Sequence, residues 1–337
     1  MVPFQIPPAV RSATRRSLLQ GVAVLPWMVW DAKAAPMADG YPNRPIKVIV
    51  PATAGGIGDL FMRQVTQEIS PSLGQATVID NKPGANSAIG AEAAARAAPD
   101  GYTLFLGDQS ALVFNSIARK KLPFDAINDF TPIARLFSAP MYLYVNPALG
   151  VSTVPELIAY AKARPGKLNF GSTGTASTPH LLAEMFKSSA NLDILHVPYK
   201  GGPDASSALA TGQIDIFFNG ANTMAFVKQG KVKVIATCGL KRSETQPTLP
   251  TVAESGLPGF EVVPWFALFG PANLPRPIVD YLQYEYLTLL QTPGMKDRAN
   301  QAGLEVTTST AAELGARLKA EFALMTPIMR RAGIQGD

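Results

Sequence analysis

The feature that most constrains the fold of this chain is a regular alternation of short apolar runs with amphipathic stretches. Ile46–Pro51 and Tyr102–Gly107 are apolar runs bounded by turn residues, as expected for buried strands. After the first run, Phe61, Val65 and Ile69 recur at a spacing of four, which is typical of one face of a helix. Strands that alternate with helices predict an α/β fold with mostly parallel sheets covered by helices.

The division into domains must come from topology, because no repeat or low-complexity tract marks a boundary. Tyr142–Pro147 and Glu261–Pro271 are extended, apolar and punctuated by proline, so each could carry the chain between two sheets. Two such crossings would give one discontinuous domain and one inserted domain. A simple division into an N-terminal and a C-terminal half fits the bare sequence almost as well.

Residues 1–34 have the layout of an export signal. Arg15 and Arg16 precede the apolar run Leu18–Trp30, and the segment ends in a small-x-small site at Ala34. The paired arginines resemble a twin-arginine signal, although ordinary secretory export is left open. The apolar run is shorter than the ~20 residues that a membrane span needs. The sequence therefore predicts a periplasmic protein cleaved near Ala34.

Composition and charge exclude several classes of protein. The 337 residues are 47% hydrophobic and 16% charged, which excludes a disordered chain, collagen and a coiled coil. The net charge of +5 falls to +2 without residues 1–34, since these hold four basic residues and one acidic residue. Nucleic acid is therefore not an expected partner. With one cysteine, Cys238, and two histidines, we expect no disulfide framework, metal site or cofactor.

The loop after the first predicted strand is the first candidate site. In open parallel sheets, ligands bind at the carboxyl ends of strands, where helix N-termini present free N–H groups. Thr53, Ala54, Gly55 and Gly56 are candidate anion-binding residues here, because glycines let the backbone come close to a ligand. Asp59 could cap the following helix or contact the ligand, and the sequence leaves both roles open.

The second candidate loop runs from Gly171 to His180, again between a predicted strand and a helix. Glycines and hydroxyl residues dominate it, and free N–H groups beside hydroxyls suit a carboxylate. Ser177 or Thr178 before Pro179 is typical of a helix N-terminus. The candidate ligand-binding residues of this loop are Gly171, Ser172, Thr173, Gly174, Thr175, Ser177 and His180.

Further polar residues follow other predicted strands. Ser87 and Ser110 belong to the first half of the chain, whereas Asn219 and Asn222 belong to the second. Each could be ordinary turn chemistry. Polar strand-end loops divided between two halves nevertheless predict a cleft that closes on a small polar ligand.

The sequence gives less support for an enzyme than for a binding protein. His180 beside Ser177 would allow a Ser/His hydrolase, but the G-x-S-x-G elbow of such enzymes is missing from the sequence. His196 alternates within a predicted strand and reads as a structural residue. The sequence therefore predicts a binding protein with no catalytic residues.

Short motifs in a fixed order resemble the Bug-type periplasmic solute-binding proteins, the receptors of tripartite tricarboxylate transporters. The resemblance runs from about Tyr41 to the C-terminus. The motifs are Tyr41-Pro42-Asn43-Arg44-Pro45-Ile46, Gly55-Gly56 with Asp59, Asn81-Lys82-Pro83-Gly84-Ala85, Pro99-Asp100-Gly101-Tyr102-Thr103-Leu104, Asn169-Phe170-Gly171-Ser172, His196-Val197-Pro198-Tyr199-Lys200-Gly201-Gly202, Gly212-Gln213-Ile214-Asp215 and Pro250-Thr251-Val252-Ala253-Glu254-Ser255-Gly256.

The resemblance implies a two-lobed Venus-flytrap fold. It places residues 41–142 and 265–337 in one lobe and residues 143–264 in the other. It also implies that a carboxylate is gripped from one lobe by the loop before Asp59 and from the other by Gly171–His180, largely through backbone amides and bridging waters. The implied partners are the membrane permease subunits of the transporter, and the implied state is a monomer.

The identity of the ligand cannot be inferred from the family, because the loops depart from the family's usual pattern. Ala52-Thr53-Ala54 stands where a glycine-rich run is common, and Thr173, Thr175 and Ala176 replace glycines of the second loop. A dicarboxylate, a tricarboxylate, an acidic amino acid or an aromatic carboxylate is expected. Two other roles are left open: a ligand-binding co-sensor for a signalling receptor, and a periplasmic Ser/His hydrolase.

Overall fold

The computed structural model describes residues 40–331, 333 and 334, so the predicted export signal lies outside the described residues. The strands are β1 (Ile46–Val50), β2 (Thr77–Asn81), β3 (Thr103–Asp108), β4 (Phe130–Ser138), β5 (Tyr142–Val145), β6 (Asn169–Ser172), β7 (Leu195–Pro198), β8 (Ile216–Asn219), β9 (Lys233–Thr237), β10 (Trp265–Pro271) and β11 (Glu305–Thr310). The α-helices are α1 (Ile57–Leu73), α2 (Ala88–Ala95), α3 (Asn115–Ala118), α4 (Val154–Lys162), α5 (Thr178–Ala190), α6 (Gly202–Ala210), α7 (Met224–Lys228), α8 (Arg276–Leu290), α9 (Pro293–Gln301) and α10 (Ala311–Arg331).

These strands form two separate sheets. The first has six strands in the order β11-β4-β10-β3-β1-β2, and the second has five in the order β7-β6-β8-β5-β9. We call the first sheet with its helices the first lobe, and the second sheet with its helices the second lobe. The predicted α/β class with two lobes is confirmed.

The prediction of mostly parallel sheets is wrong in detail, because both sheets are mixed. β1 runs parallel to β2 and β3, and β6 runs parallel to β7 and β8. The antiparallel pairs among the described strands all involve β4, β5 or β10. These three strands adjoin the places where the chain passes from one sheet to the other. β10, which returns the chain to the first sheet, runs antiparallel to both of its neighbours, β3 and β4.

The two passages between the lobes lie side by side. The chain leaves the first sheet at Ser138 and enters the second at Tyr142, and it returns to the first sheet at Trp265. The Ala139 N–H donates to the Pro264 carbonyl at 2.9 Å, which joins the two passages. Tyr142 pairs with Asn219 and Thr237 and so belongs to the second sheet rather than to the end of the first lobe. The predicted lobe limits otherwise stay a proposal.

Packing explains why the helices lie where they do. Phe61, Val65 and Ile69 of α1 are buried, as their spacing predicts, and α1 ends at Gly74 in the left-handed conformation. Trp265, which begins β10, is fully buried in an apolar cluster that includes residues of both lobes. Among the described helices, none is both long and apolar enough to cross a membrane.

Candidate functional site

The three parallel strands of the first lobe end at one edge of the sheet. Because β1 lies between β2 and β3, the loops after these strands are neighbours. The Asn81 side-chain amide donates to the Ala52 carbonyl at 3.0 Å, which joins the loops after β1 and β2. The Ser87 hydroxyl donates to Asp108 Oδ2 at 2.9 Å, which joins the segment before α2 to the end of β3. These contacts join Asn81 to the first loop and Ser87 to the end of β3 along the polar rim of the first lobe.

The Asp59 carboxylate holds the first loop in shape. Its side chain is fully buried, and Oδ2 accepts from the Gly55 N–H at 2.9 Å and from Arg63 Nε at 3.0 Å. Oδ1 accepts from the Asn81 side chain at 2.8 Å. Burial opposes ionisation, but these hydrogen bonds outweigh it and hold the pKa of Asp59 below its ordinary value. Of the two roles that the sequence leaves open for Asp59, this geometry supports bracing of the helix entrance.

The residues before Asp59 present their backbone to solvent. Thr53, Ala54 and Gly55 are exposed, and the Gly56 N–H donates to the Thr53 carbonyl at 3.1 Å to close a turn. Gly55 has φ +87° with open space around it. Gly56 is the N-cap of α1 and has no side-chain cap, so the helix N-terminus stays open to an anion.

The segment before α2 is strained. Ala85, Asn86 and Ser87 have φ values of 51°, 52° and 72°, a conformation that costs non-glycine residues of order 1 kcal/mol each. Asp108 stabilises the end of this segment by accepting from Ser87, and its other oxygen accepts from the Ala111 N–H at 2.7 Å. Burial raises the pKa of Asp108 above its ordinary value, although these hydrogen bonds and one from Ser110 oppose the shift.

The second lobe holds its loop differently. Ser172 is fully buried, and its Oγ lies 2.6 Å from His196 Nε2 and accepts from the Gly174 N–H at 3.1 Å. Ser177, one of the two residues predicted as the cap, is the N-cap of α5, and its Oγ donates to the Gly174 carbonyl at 2.7 Å. Thr173 and Gly174 are partly exposed and Thr175 is exposed, so the tip of the loop faces solvent while its base is fixed. Gly171 is at the buried base, where a Cβ would clash with the Ile214 side chain.

Two stacked imidazoles form the support beneath this loop. The rings of His180 and His196 lie 4.0 Å apart and nearly parallel, and His196 also stacks on Phe170 at 4.9 Å. His180 Nδ1 accepts from the Ala176 N–H at 3.2 Å. Burial lowers the pKa of both histidines to about 4, with Lys187 lowering that of His180 further. Both rings are therefore neutral at pH 7, and each supports the loop as an uncharged hydrogen-bonding group.

The remaining predicted residues are less closely connected. Asn219 ends β8 and donates to Thr223 Oγ1 at 3.0 Å, whereas Asn222 is exposed. Within each lobe, hydrogen bonds hold the predicted site residues in place. Among the described residues, no hydrogen bond joins the site loops of one lobe to those of the other.

Sequence reasoning left Asn81 and Asp108 out of the candidate site and predicted His196 only as a structural residue, without its contact to Ser172. Asn81 joins Asp59 to the first loop, Asp108 holds Ser87, and His196 holds Ser172. Asn81 and Asp108 each end a parallel strand next to a predicted loop, and that position is a usable signal. His196 had none, because its contact with Ser172 depends on the pairing of β6 with β7.

Known proteins resemble this chain over most of its length. A family model described as "Tripartite tricarboxylate transporter family receptor" matches residues 61–334. Protein BugT of Bordetella pertussis is 33% identical over 304 residues, which cover 89% of this chain and 93% of BugT.

Solved structures show the same likeness. The structure of Rpa4515 from R. palustris with adipate has a TM-score of 0.77 and 30% identity, and it covers 88% of this chain and 99% of its own. MatC from Rhodopseudomonas palustris, solved with bound malate, has a TM-score of 0.71 and 28% identity, and it covers 86% of this chain and 99% of its own. The resemblance drawn from the motifs is confirmed: this chain belongs to the tripartite tricarboxylate transporter family of receptors.

Proposed function

We propose that this protein is an exported receptor that captures a small organic carboxylate between its lobes and delivers it to the permease subunits of a tripartite tricarboxylate transporter. The observation that carries the proposal is the pair of strand-end loops, one in each lobe, that combine exposed tips with fixed bases. Backbone N–H groups at the entrances of α1 and α5 suit the oxygens of a carboxylate. Relatives solved with adipate and with malate support this ligand class.

The roles proposed for the loops follow from exposure. Thr53 and Ala54 donate to the ligand from the first lobe, while Gly55 and Gly56, whose N–H groups bond Asp59 and the Thr53 carbonyl, let the backbone come close to it. Ser172–Ser177 hold the ligand from the second lobe through the backbone of the loop tip. Ser87, Ser110, Asn219 and Asn222 set selectivity at the rim. Ligand binding shifts the receptor population toward the closed state, which the receptor reaches by bending at the two passages between the lobes. The receptor acts in the periplasm as a monomer after removal of residues 1–34.

The geometry does not favour hydrolysis. The Ser177 hydroxyl bonds the Gly174 carbonyl, and His180 Nδ1 is engaged by the Ala176 N–H, so this pair is not arranged as nucleophile and base. The Ser172–His196 contact has a hydrogen-bonding distance, but Ser172 is fully buried. We propose that no bond is made or broken in the ligand.

The test is a thermal-shift screen of the purified, ligand-free protein against dicarboxylates, tricarboxylates, acidic amino acids and aromatic carboxylates. A ligand at about 100 times its dissociation constant should stabilise the protein by about 2.7 kcal/mol. A broad panel without any shift contradicts the proposal. Native mass spectrometry of protein before ligand removal would identify what co-purifies.

Two glycines make a matched pair for locating the site. Gly174 has φ +114° and Gly256 has φ +111°, and both have open space where a Cβ would be added. Alanine at either should destabilise the chain by about 1 kcal/mol or more, because the conformation disfavours a side chain. Only Gly174→Ala should weaken the ligand-induced shift. If the ligand-induced shift is weakened equally in the two variants, the second loop does not contact the ligand.

A further inference from the structure

A carboxylate of the first lobe reaches across to the second lobe beside the passages. Glu305 begins β11, and its Oε1 accepts from the Ser243 hydroxyl at 2.6 Å and from the Glu244 N–H at 2.8 Å. Ser243 follows β9 and is anchored to the second lobe, because its hydroxyl lies 3.1 Å from the hydroxyl of Tyr142 in β5. We call the contact of Glu305 with Ser243 and Glu244 the latch.

In the first lobe, the latch lies on the far side of the passages from the ligand loops. Glu305 pairs with Ser138, where the first passage begins, and Ser138 pairs in turn with Trp265, where the second passage ends. The strand order is β11-β4-β10-β3-β1-β2, so the strands whose ends carry the polar loops follow beyond Trp265. Along this edge of the sheet, the two passages therefore separate the latch from the loops.

The second lobe has the same arrangement. Its strand order is β7-β6-β8-β5-β9, and the first passage enters it at Tyr142, which begins β5. The end of β6 at Ser172 and the end of β8 at Asn219 lie on one side of Tyr142. β9, whose Thr237 pairs with Tyr142, lies on the other side and leads to Ser243. In both lobes, the latch is thus beyond the passages from the cleft.

Two lobes that pivot at the passages cannot approach each other on both sides of them. A rotation that brings the loops after β1 and β6 together moves Glu305 away from Ser243. Neighbouring strands lie about 5 Å apart, so each 10° of this rotation separates the two residues by about 1 Å. The hydrogen bond of 2.6 Å is then stretched beyond hydrogen-bonding distance after roughly 10° of rotation.

The latch consists of hydrogen bonds without close packing around them. A cavity of about 370 Å³ is lined by both Glu305 and Glu244. Among the described residues, the hydrogen bonds that join the lobes away from the passages are the two that Glu305 accepts. The described structure thus combines a formed latch with site loops that are not hydrogen-bonded to each other across the cleft.

We propose that the Glu305 latch stabilises the open receptor and so lowers its affinity for the ligand from outside the cleft. This inference rests on the proposed closure of the lobes over a ligand. Closure breaks two hydrogen bonds to a carboxylate, so the latch reduces the fraction of receptor that is closed before the ligand binds. Removal of the latch should therefore tighten binding, an effect that damage to a merely structural contact does not produce.

Titration calorimetry of the purified protein with adipate and with malate, the acids bound in two solved relatives, measures the affinity. Glu305→Ala should bind the acid about 3-fold to 10-fold more tightly than the wild type. Ser243→Ala should tighten binding about 2-fold, because the Glu244 N–H still donates to Glu305. The double variant should bind no more tightly than Glu305→Ala alone, since both substitutions act on one contact.

Glu244→Ala is the matched control. It removes a carboxylate from the same cavity but leaves both hydrogen bonds of the latch, because Glu244 contributes only its backbone N–H. Its affinity should differ from that of the wild type by less than about 2-fold. Weaker binding in Glu305→Ala, or an equal gain in Glu244→Ala, would contradict the latch.

A distance measurement without ligand separates the latch from the proposed function. Val78 in β2 and Leu195 in β7 are 52% and 57% exposed and lie on the outermost strands at the loop side of the passages. Spin labels on Val78→Cys/Leu195→Cys report the distance between the lobes by double electron–electron resonance, since Cys238 is buried. Glu305→Ala should enlarge the short-distance fraction of the ligand-free protein about 3-fold or more, and Glu244→Ala should leave it unchanged.

The two measurements fail separately. If no acid binds the wild type, the proposed function fails, and the ligand-free distances still decide whether Glu305 holds the receptor open. A ligand-free distance distribution that Glu305→Ala leaves unchanged refutes the latch, whatever the receptor binds. If Glu305→Ala does not fold, Ser243→Ala takes its place in both measurements, and wild-type affinity with wild-type distances then refutes the latch.

Discussion

The loops of the two lobes are held in shape by different chemistry. In the first lobe, an ionised carboxylate, Asp59, accepts hydrogen bonds from a backbone amide, a guanidinium and a side-chain amide. In the second lobe, the neutral rings of His180 and His196 support a buried hydroxyl and a backbone amide. One loop therefore depends on a charge being present and the other on a charge being absent. Substitution and pH should affect the two lobes differently.

The largest effect is expected from removal of the charge in the first lobe. Asp59→Ala leaves the Gly55 N–H without its acceptor, removes one of the two bonds of the Asn81 amide and takes the carboxylate from Arg63, so it should destabilise the chain by about 3 kcal/mol. Urea unfolding followed by circular dichroism measures the change. Glu68→Ala is the control, because its ion pair with Arg298 is exposed and is expected to contribute about 0–1 kcal/mol. Similar losses in both variants would contradict the bracing role of Asp59.

The second lobe should respond to mild acid. The pKa of each histidine is lowered to about 4 in the folded chain from an ordinary value of 6.5, so the unfolded chain binds more protons between these values. Stability is then present above about pH 6.5 and is lost as the pH falls toward 4. We expect a loss of about 2 kcal/mol in total, less than the full shifts would give, because His196 is partly exposed and screened by solvent. Urea unfolding over this range measures the loss.

Asp59 should act in a lower pH window. Its pKa lies below its ordinary value of 3.8, so the stability that it contributes is present above 3.8 and is lost only at more acid pH. The double variant His180→Gln/His196→Gln should therefore flatten the decline between pH 6.5 and 4, whereas Asp59→Ala should keep it. A decline that survives the double variant would show that other groups cause it.

Ser172→Ala tests the neutral support directly. It removes the hydroxyl that contacts His196 Nε2 and accepts from the Gly174 N–H, and it leaves buried polar atoms without a partner. The expected loss is about 1–2 kcal/mol in urea unfolding. Ser152→Ala is the control, because Ser152 is exposed and should change stability by less than about 0.5 kcal/mol. If the two variants unfold alike, Ser172 is not a support of the loop.

The sequence predicts the parts of this fold that have a local signal. The alternation of strands and helices, the buried face of α1 and the Ser177 cap were readable, because periodicity and capping act over a few residues. The strands β4 and β11 were missed. β11 reads Glu-Val-Thr-Thr-Ser-Thr and is only partly buried, so no apolar pattern marks it, and it forms only because β4 pairs with it. The mixed sheets escaped prediction for the same reason, since pairing across the two passages is not local.

The candidate site, like the fold, could be predicted only where the signal is local. Glycine-rich and hydroxyl-rich loops after strands identified its exposed tips. The groups that fix those tips are Asn81, Asp108 and His196, which lie 22, 21 and 24 residues from the partners they hold. Contacts of that range depend on sheet order. Sequence reasoning therefore located where a ligand is proposed to bind, but not what keeps the site rigid.

The smallest effects should come from two serines that precede helices. Ser177 has φ −75° and accepts from the His180 N–H, so Ser177→Ala removes a cap and should cost about 1 kcal/mol.

Ser87 has φ +72° and caps nothing, and its hydroxyl instead donates to Asp108. Ser87→Ala should cost only about 0.5 kcal/mol, because Ser87 is partly exposed and water can replace its hydroxyl at Asp108 Oδ2. It should instead raise the pKa of Asp108 further, since one hydrogen bond to the ionised form is lost. Carbon-detected NMR titration of the Asp108 carboxyl measures that shift, with Ser177→Ala as the variant in which the Asp108 pKa should not move. A titration that Ser87→Ala leaves unchanged would mean that the two serines do not differ in the way their contacts indicate.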